Sequence, residues 1–377
     1  MRLTARQLNR ATLERQLLLR RERLAVPDAV RRITALQAQE PASPYLALWN
    51  RIAGFDAAGL DAAYADGSIV KASLMRITLH AVHALDYPVY HAAMVRTLRQ
   101  ARLGDPRFTK GGLSIAEADA LLPEVLAFTA EPRTRVEAEA WLAQRLPDGA
   151  VQPVFWAMRT YAPFHHAPVG GPWSHGPKAA FRAAPETLPP DAYEASVAGL
   201  ARRYLEGFGP ASAADLARFT MLGRGVAREA VASLGDEVVA VEGPDGARLF
   251  DLAGATIPGD DVAAPPRLLP MWDSILLAYA DRGRALPELY RAHVIRINGD
   301  VLPTLLVDGL VAGVWRPVAG GIEATAFHPL PDEGWAGLAD EAAGLVAFLE
   351  GRDPATYRRY GHWWAKLPAA EVRVLPG

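Results

Sequence analysis

Residues 212–252 read SAADLARFTMLGRGVAREAVASLGDEVVAVEGPDGARLFDL, and their pattern decides the fold class. Ser212 with Asp215 three residues on has capping-box spacing, so a helix begins there and carries Leu216 and Phe219 inward. Gly223 breaks it. Val226, Ala230, Val231 and Leu234 recur at helical spacing and form a second helix. Glu237–Val241 and Ala247–Leu252 are extended runs on either side of Gly243-Pro244-Asp245-Gly246, which makes them a hairpin. Helices followed by a hairpin is the order of a winged helix, a helix-turn-helix with a β-wing.

The same order is expected twice upstream. Thr4-Ala5-Arg6-Gln7 caps a first helix. Pro27 and Asp28 open a second, with Val30, Ile33 and Leu36 on its inner side, and Pro41 predicts its end near Gln39. A short helix over Asp56–Tyr64, ending at Asp66-Gly67, precedes extended runs at Ser68–Leu74 and Arg76–Val82. Thr134-Arg135-Val136-Glu137 caps another helix, followed by the apolar segment Val154–Tyr161 and a Gly/Pro-rich stretch through Pro177. Downstream, Pro258 to Pro270 marks a boundary. Beyond it Ala292–Ile297, Thr304–Val307, Leu310–Trp315 and Ile322–Phe327 read as strands, with a turn at Asp308-Gly309 and a helix over Ala336–Leu349. The expected fold is α+β and mainly helical: winged-helix units at 1–110, 111–185 and 186–262, then an α+β unit at 263–377.

The 377 residues contain no cysteine, which excludes disulfides, thiolate zinc sites, iron–sulfur clusters and a cysteine nucleophile. No apolar run reaches the ~18 residues of a membrane-spanning helix, and no apolar segment of leader type follows Arg2, Arg6 and Arg10, so a cytoplasmic protein is expected. The net charge is −2, but nine arginines over residues 1–35 face only Glu14, Glu22 and Asp28. Arg96, Arg99, Arg102, Arg107 and Lys110 form a second basic cluster, while acid gathers late in the chain. A basic face with acid kept elsewhere suits nucleic-acid phosphate; solvated helix faces account for the same counts.

Few residues offer chemistry. On a helix opened at Pro27, Gln37 faces inward with the apolar stripe, and the helix end before Pro41 swings Gln39 toward the same pocket. Two neutral amides orient water but are not useful bases. The residues alone leave open a buried, satisfied Gln37 and an exposed Gln39. Strand alternation puts Arg76, Thr78 and His80 on one face, able to hold a phosphate or sugar or simply to meet solvent. His80 and Glu40 are the nearby groups that could titrate. His165, His166 and His175 lack metal-ligand spacing, so no metal is expected. Trp272-Asp273 and Asp281-Arg282-Gly283-Arg284 suit structural ion pairs.

Gln37-Ala38-Gln39, followed by Ser43-Pro44-Tyr45-Leu46-Ala47-Leu48-Trp49, resembles the catalytic segment of the AlkZ and YcaQ winged-helix DNA glycosylases. Arg76-x-Thr78-Leu79-His80 is similar to that family's recurrent strand motif. Trp272-Asp273, Asp281-Arg282-x-Arg284, Leu306-Val307-Asp308-Gly309 and Gly313-Val314-Trp315-Arg316 resemble its closing motifs. The Gln-x-Gln form is that of the AlkZ branch. Ile77 departs from the pattern, which has glycine there in much of the family. The resemblance implies three winged helices around a concave DNA channel and a monofunctional glycosylase that excises cationic N-alkylated purines from double-stranded DNA. It implies Gln37 and Gln39 as catalytic residues, with crosslink unhooking and self-resistance as known extensions among relatives. Arg6, Arg10, Arg76, Thr78, His80, Arg99 and Arg102 are the expected DNA-binding residues. A monomer with no cofactor is expected, and no Schiff-base step, because no lysine adjoins the motif. The competing readings are a winged-helix transcription regulator and a damage-binding protein without chemistry.

Overall fold

The computed structural model describes residues 2–176 and 178–376; Pro177 lies outside the described residues. The chain is 45% helix and 17% strand, an α+β fold in which helix dominates.

Helix α1 (Ala5–Arg15) starts at a capping box in which the Thr4 hydroxyl accepts from Gln7 N–H and the Gln7 side chain accepts from Thr4 N–H. Helix α2 (Val26–Arg32) stops earlier than the sequence predicts. Thr34 turns into the left-handed region at φ 74°, and residues 36–37 become strand β1 (Leu36–Gln37). Gln37 is therefore on a strand, not on a helix. Helices α3 (Ser43–Trp49) and α4 (Ala57–Ala65, capped by Asp56) follow, then strands β2 (Ile69–Ser73) and β3 (Leu79–His83). The second expected strand starts late, because Met75–Ile77 is a tight turn with Arg76 and Ile77 at φ 53° and 58°.

Helices α5 (Tyr87–Leu103), α6 (Pro106–Thr109) and α7 (Ile115–Phe128) lead to strand β4 (Arg133–Thr134), helices α8 (Arg135–Ala143) and α9 (Val151–Tyr161), and strands β5 (Phe164–Ala167) and β6 (Ala180–Ala183). Helix α10 (Tyr193–Phe208) precedes α11 (Ala213–Thr220), α12 (Arg224–Ser233), β7 (Val238–Glu242) and β8 (Arg248–Leu252), and Ala211 bridges to Phe250 on β8. The order helix, strand, helix, helix, hairpin thus occurs twice with the first strand paired to the last, and a third time with the single bridging residue Ala211 in the place of the first strand. The first two sets share one six-stranded sheet, β1-β3-β2-β5-β6-β4, joined where Lys71 on β2 faces His166 on β5.

The last part holds β9 (Arg267–Leu269), α13 (Glu288–Val294), β10 (Thr304–Val307), β11 (Leu310–Val318), β12 (Gly321–Ala326), α14 (Asp332–Glu350) and β13 (Glu371–Leu375). Its sheet runs β13-β12-β11-β10-β9. The strand expected at Ala292–Ile297 is instead the end of α13. The β-branched residues there are split, Val294 closing the helix in the core and Ile295 bridging to Val301, while Ile297 is fully exposed.

Side-chain alternation along β2 feeds two cores. Val70 and Ala72 join Val82, Phe155, Phe181, Phe219 and Tyr279, whereas Ile69 joins Leu36, Ala81, Tyr45, Leu268 and Trp315. The second of these cores is shared between the first unit and the C-terminal sheet. An ion pair fastens that junction. Arg51 donates twice to Asp273, 2.9 Å each, with both side chains wholly buried. Removing one partner leaves a buried charge unpaired, which costs about 3–5 kcal/mol. Asp273→Ala should lose that much in a denaturant titration; a loss under about 1 kcal/mol would show that the junction does not rest on this pair.

Candidate functional site

β1 lies antiparallel to β3 with Gln37 opposite His80, so these side chains share a face. The turn before β3 returns Arg76 to them. Leu74 N–H donates to the Thr78 carbonyl at 3.0 Å and Thr78 N–H to the Met75 carbonyl at 3.1 Å, holding the left-handed pair Arg76 and Ile77 between them. A β-branched residue at such a φ costs about 1–2 kcal/mol, a strain that a glycine at position 77 would not carry.

Arg76 donates to Gln37 Oε1 at 2.5 Å and to the Phe219 carbonyl at 3.1 Å, and lies over the Phe219 ring. A guanidinium has only donors, so the amide atom facing it must be oxygen. His80 Nδ1–H donates to the Thr78 carbonyl at 3.1 Å, which leaves the Nε2 lone pair toward Arg76, 3.2 Å away. Burial, then the Arg76 charge, push the His80 imidazole down to about 3, against the Thr78 carbonyl, which acts the other way. It is neutral throughout the range in which an enzyme works. Burial and the neighbouring Arg218 and Arg282 also lower the proton affinity of Arg76, and among the described residues no carboxylate pairs with it. The sequence expectation thus holds in part: Arg76 and His80 meet, and Gln37 joins them, but through a turn. The Thr78 hydroxyl bonds to the Met75 carbonyl at 3.1 Å and so braces the turn.

Gln39 is placed differently. It is exposed and lines a cleft of about 350 Å³ with Glu40, Lys71, Leu79, His166, His175 and Arg359, among others, and Gln37 is not part of that lining. The expectation of one pocket for both amides is corrected: the bend at Gln39, where strand pairing stops, parts them. Glu40 is bound by Arg359 and by the Tyr360 hydroxyl at 3.0 Å. Lys71, which the sequence reading passed over, is 5% exposed and has its proton affinity pushed down to about 8 by burial, with Glu40 opposing. Its one signal in the sequence was a charged residue inside an apolar strand. His175 is likewise pushed down, to about 3, by burial and by Lys71, against the His166 carbonyl, which acts the other way. Among the described residues no three metal-ligating side chains cluster.

Several expected DNA contacts are committed elsewhere. Arg10 is buried, with its donors on the Val262 and Asp308 carbonyls, Asn9 Oδ1 and the Asp308 carboxylate, so it is removed from the DNA-binding set. Arg6 binds the same carboxylate at 2.6 and 3.1 Å. Arg99 pairs with Asp119, and Arg102 donates to Thr160 above the Trp156 ring. Asp281 caps Gly283 N–H at 2.9 Å, whereas Arg282 and Arg284 engage the Leu276 carbonyl and the Tyr279 ring, so no ion pair forms inside that motif. Arg218, far from Arg76 in sequence, is the cation the reading missed, and Arg282, expected in a structural ion pair, is instead a neighbour of Arg76.

The family model described as DNA glycosylase AlkZ-like matches residues 30–348. The solved structure of the Streptomyces sahachiroi DNA glycosylase AlkZ is similar, with a TM-score of 0.76 at 24% identity over 92% of this chain and 96% of that one, a shared fold. No curated protein matches.

The neutral histidines have a measurable consequence. Unfolding restores His80 and His175 to about 6.5, so the unfolded chain takes up protons below that pH and the folded chain does not. Stability should therefore fall from pH 7 to pH 5, by about 2 kcal/mol for each of the two. His175→Phe should flatten the pH dependence of denaturant unfolding by one proton's worth, and an unchanged slope would mean that His175 titrates in the folded protein.

Proposed function

This chain belongs to the AlkZ-like family of DNA glycosylases, and we propose that it hydrolyses the N-glycosidic bond of cationic N-alkylated purines in double-stranded DNA. The transcription-regulator and passive-binder readings give way to that membership. The three helix–hairpin sets are read as winged helices at 1–110, 111–185 and 186–262, curved around a DNA channel, with 263–377 as the supporting unit.

The observation that carries the substrate reading is the Gln37–Arg76–His80 cluster. A purine alkylated at N7 is already a cation and leaves as a neutral base, so its departure needs no general acid. The cluster offers none: His80 is neutral, Gln37 is an amide and Arg76 keeps its proton. What the cluster supplies is orientation. Arg76 fixes the Gln37 amide, leaving its NH2 and one oxygen lone pair to position water against an oxocarbenium-like sugar. Arg76, Arg218 and Arg282 lack carboxylate partners among the described residues, and flanking phosphates complete them. Gln39, on the rim of its cleft, contacts the strand beside the lesion. Because that rim is open, adducts larger than a methyl group are accommodated, and unhooking of crosslinks, with protection of a producer cell, follows as an extension. The protein is read as a cytoplasmic monomer.

Single-turnover excision of N7-methylguanine should run at nearly constant rate between pH 6 and 8, with uracil retained. Gln37→Ala and Gln39→Ala should leave DNA affinity nearly unchanged, and the worse of the two should slow excision by about 10²-fold, the loss typical of one preorganised donor. A limb near pH 6.5 that vanishes in His80→Asn, or rapid uracil release, would overturn this mechanism.

A further inference from the structure

The cleft beside Gln39 carries cations that the proposed hydrolysis does not use. Lys71 on β2 pairs with Ala81 on β3, as Leu36 does, so it stands on the sheet face away from Gln37 and His80. Among the described residues no hydrogen bond or ion pair holds its amine, although Lys71 is only 5% exposed and lines the cleft. Lys178 and Arg359 line it too, and the carboxylate there, Glu40, is taken by Arg359 and by the Tyr360 hydroxyl. The bonds from Arg359 to Glu40 and to Tyr360 both use Nη2, which leaves Nε and Nη1 for another acceptor. His166 and His175 on the floor are kept neutral, chiefly by burial. Three cations thus line the cleft against one carboxylate.

The cleft is assembled from three parts of the chain. Lys71 and His166 face each other where the two halves of the six-stranded sheet join. The loop between β5 and β6 brings His175 and Lys178 to it. That loop is fixed at its middle: Trp173 is buried in the core shared with the C-terminal sheet, and the Ser174 hydroxyl donates to Asp61 at 2.5 Å. Arg359 comes from the chain beyond α14.

We propose that this cleft seats one phosphodiester of the DNA strand beside the lesion, with the Lys71 ammonium as its buried counter-ion and Lys178 and Arg359 closing on it. The seat rests on the glycosylase reading for its occupant, because that reading brings the strand past Gln39. The chemistry of the match is complementary. Ammonium and guanidinium groups only donate, and a phosphodiester oxygen only accepts. An ammonium held out of water without a partner works against folding, so keeping one in an open cleft sets up a demand for an anion that binding fulfils. Because β2, the β5–β6 loop and the C-terminal part all contribute, one seated phosphate fixes the register of the strand against all three.

The test uses the full chain and an undamaged duplex, titrated at several salt concentrations. Each phosphate contact contributes about 0.9 to the slope of log K against log salt. Lys71→Met should lower the slope by about 0.9, which is about an eightfold loss of affinity between 1 M and 0.1 M salt. The same variant should unfold at a higher denaturant concentration than the wild type, because it removes a buried charge that folding leaves unpaired. On a duplex whose register is set by a tetrahydrofuran abasic analogue, neutral methylphosphonates placed one at a time should reveal a position that weakens the wild type and leaves Lys71→Met unaffected. An unchanged slope in folded Lys71→Met, the absence of such a position, or a lower denaturant midpoint, which would give the amine a partner inside the fold, would overturn the seat. Inorganic phosphate that raises the melting temperature of the wild type but not of Lys71→Met, with equal DNA slopes, would assign the cleft to a free oxyanion and overturn the DNA assignment. A lowered slope in a protein that leaves N7-methylguanine in place would retain the seat and remove the substrate reading instead.

Discussion

The guanidinium of Arg76 ties together groups that no local rule would join. It reaches Gln37 on β1, His80 on β3 and the carbonyl of Phe219 at the end of α11, so the first and third helical sets meet on one side chain. Each contact constrains its partner. The donor-only guanidinium dictates which end of the Gln37 amide faces it, and its charge reinforces the burial that keeps His80 neutral. The left-handed turn that aims Arg76 is strained at Ile77 and is held by the Leu74 and Thr78 backbone bonds. Strain kept at a site by its surroundings is the common price of orientation in a binding cluster.

The same economy of placement governs charge across the molecule. The N-terminal arginines looked like a phosphate-binding surface, yet Arg10 is buried on the Asp308 turn and Arg15 forms a two-pronged pair with Asp251 on β8, 2.7 Å on each arm. They fasten α1 to the third set and to the C-terminal sheet. Arg51 and Asp273 do the same at the junction of the first unit. A fully buried pair gains little over a well-packed apolar one, but it tolerates no loss of a single partner and so specifies which surfaces meet. Among the described residues Arg76 and the neighbouring Arg218 and Arg282, whose charges act on it, are left without acids, at the cluster that contains Gln37.

Local physics made much of the fold legible. Capping boxes at Thr4, Thr134 and Ser212 each start the helix that their spacing predicts, because the groups that bond are three residues apart. The hairpin over Gly243–Gly246 and the turn at Asp308-Gly309 are set by the same short-range chemistry. The failures share a cause. Residues 36–37 leave the helical pattern because β3, more than forty residues later, offers their backbone a strand partner. The Ala292–Ile297 run alternates like a strand, but its first half closes α13 and Arg296 N–H then donates to the Asp300 carbonyl.

By itself the sequence determined the α+β class, the capped helix starts, the hairpin turns, the family motifs, and the choice of amides over acids at the motif, since these depend on residue type and near spacing. Only the tertiary structure decided that Gln37 and Gln39 part company, that Arg76 rather than solvent receives the Gln37 oxygen, that Arg10 and Arg15 are consumed internally, and that Lys71 stands in the cleft with Gln39. Those outcomes rest on strand register and on which buried charges find partners. Both are settled by contacts between residues far apart in the chain, whose energies depend on desolvation that no spacing rule encodes.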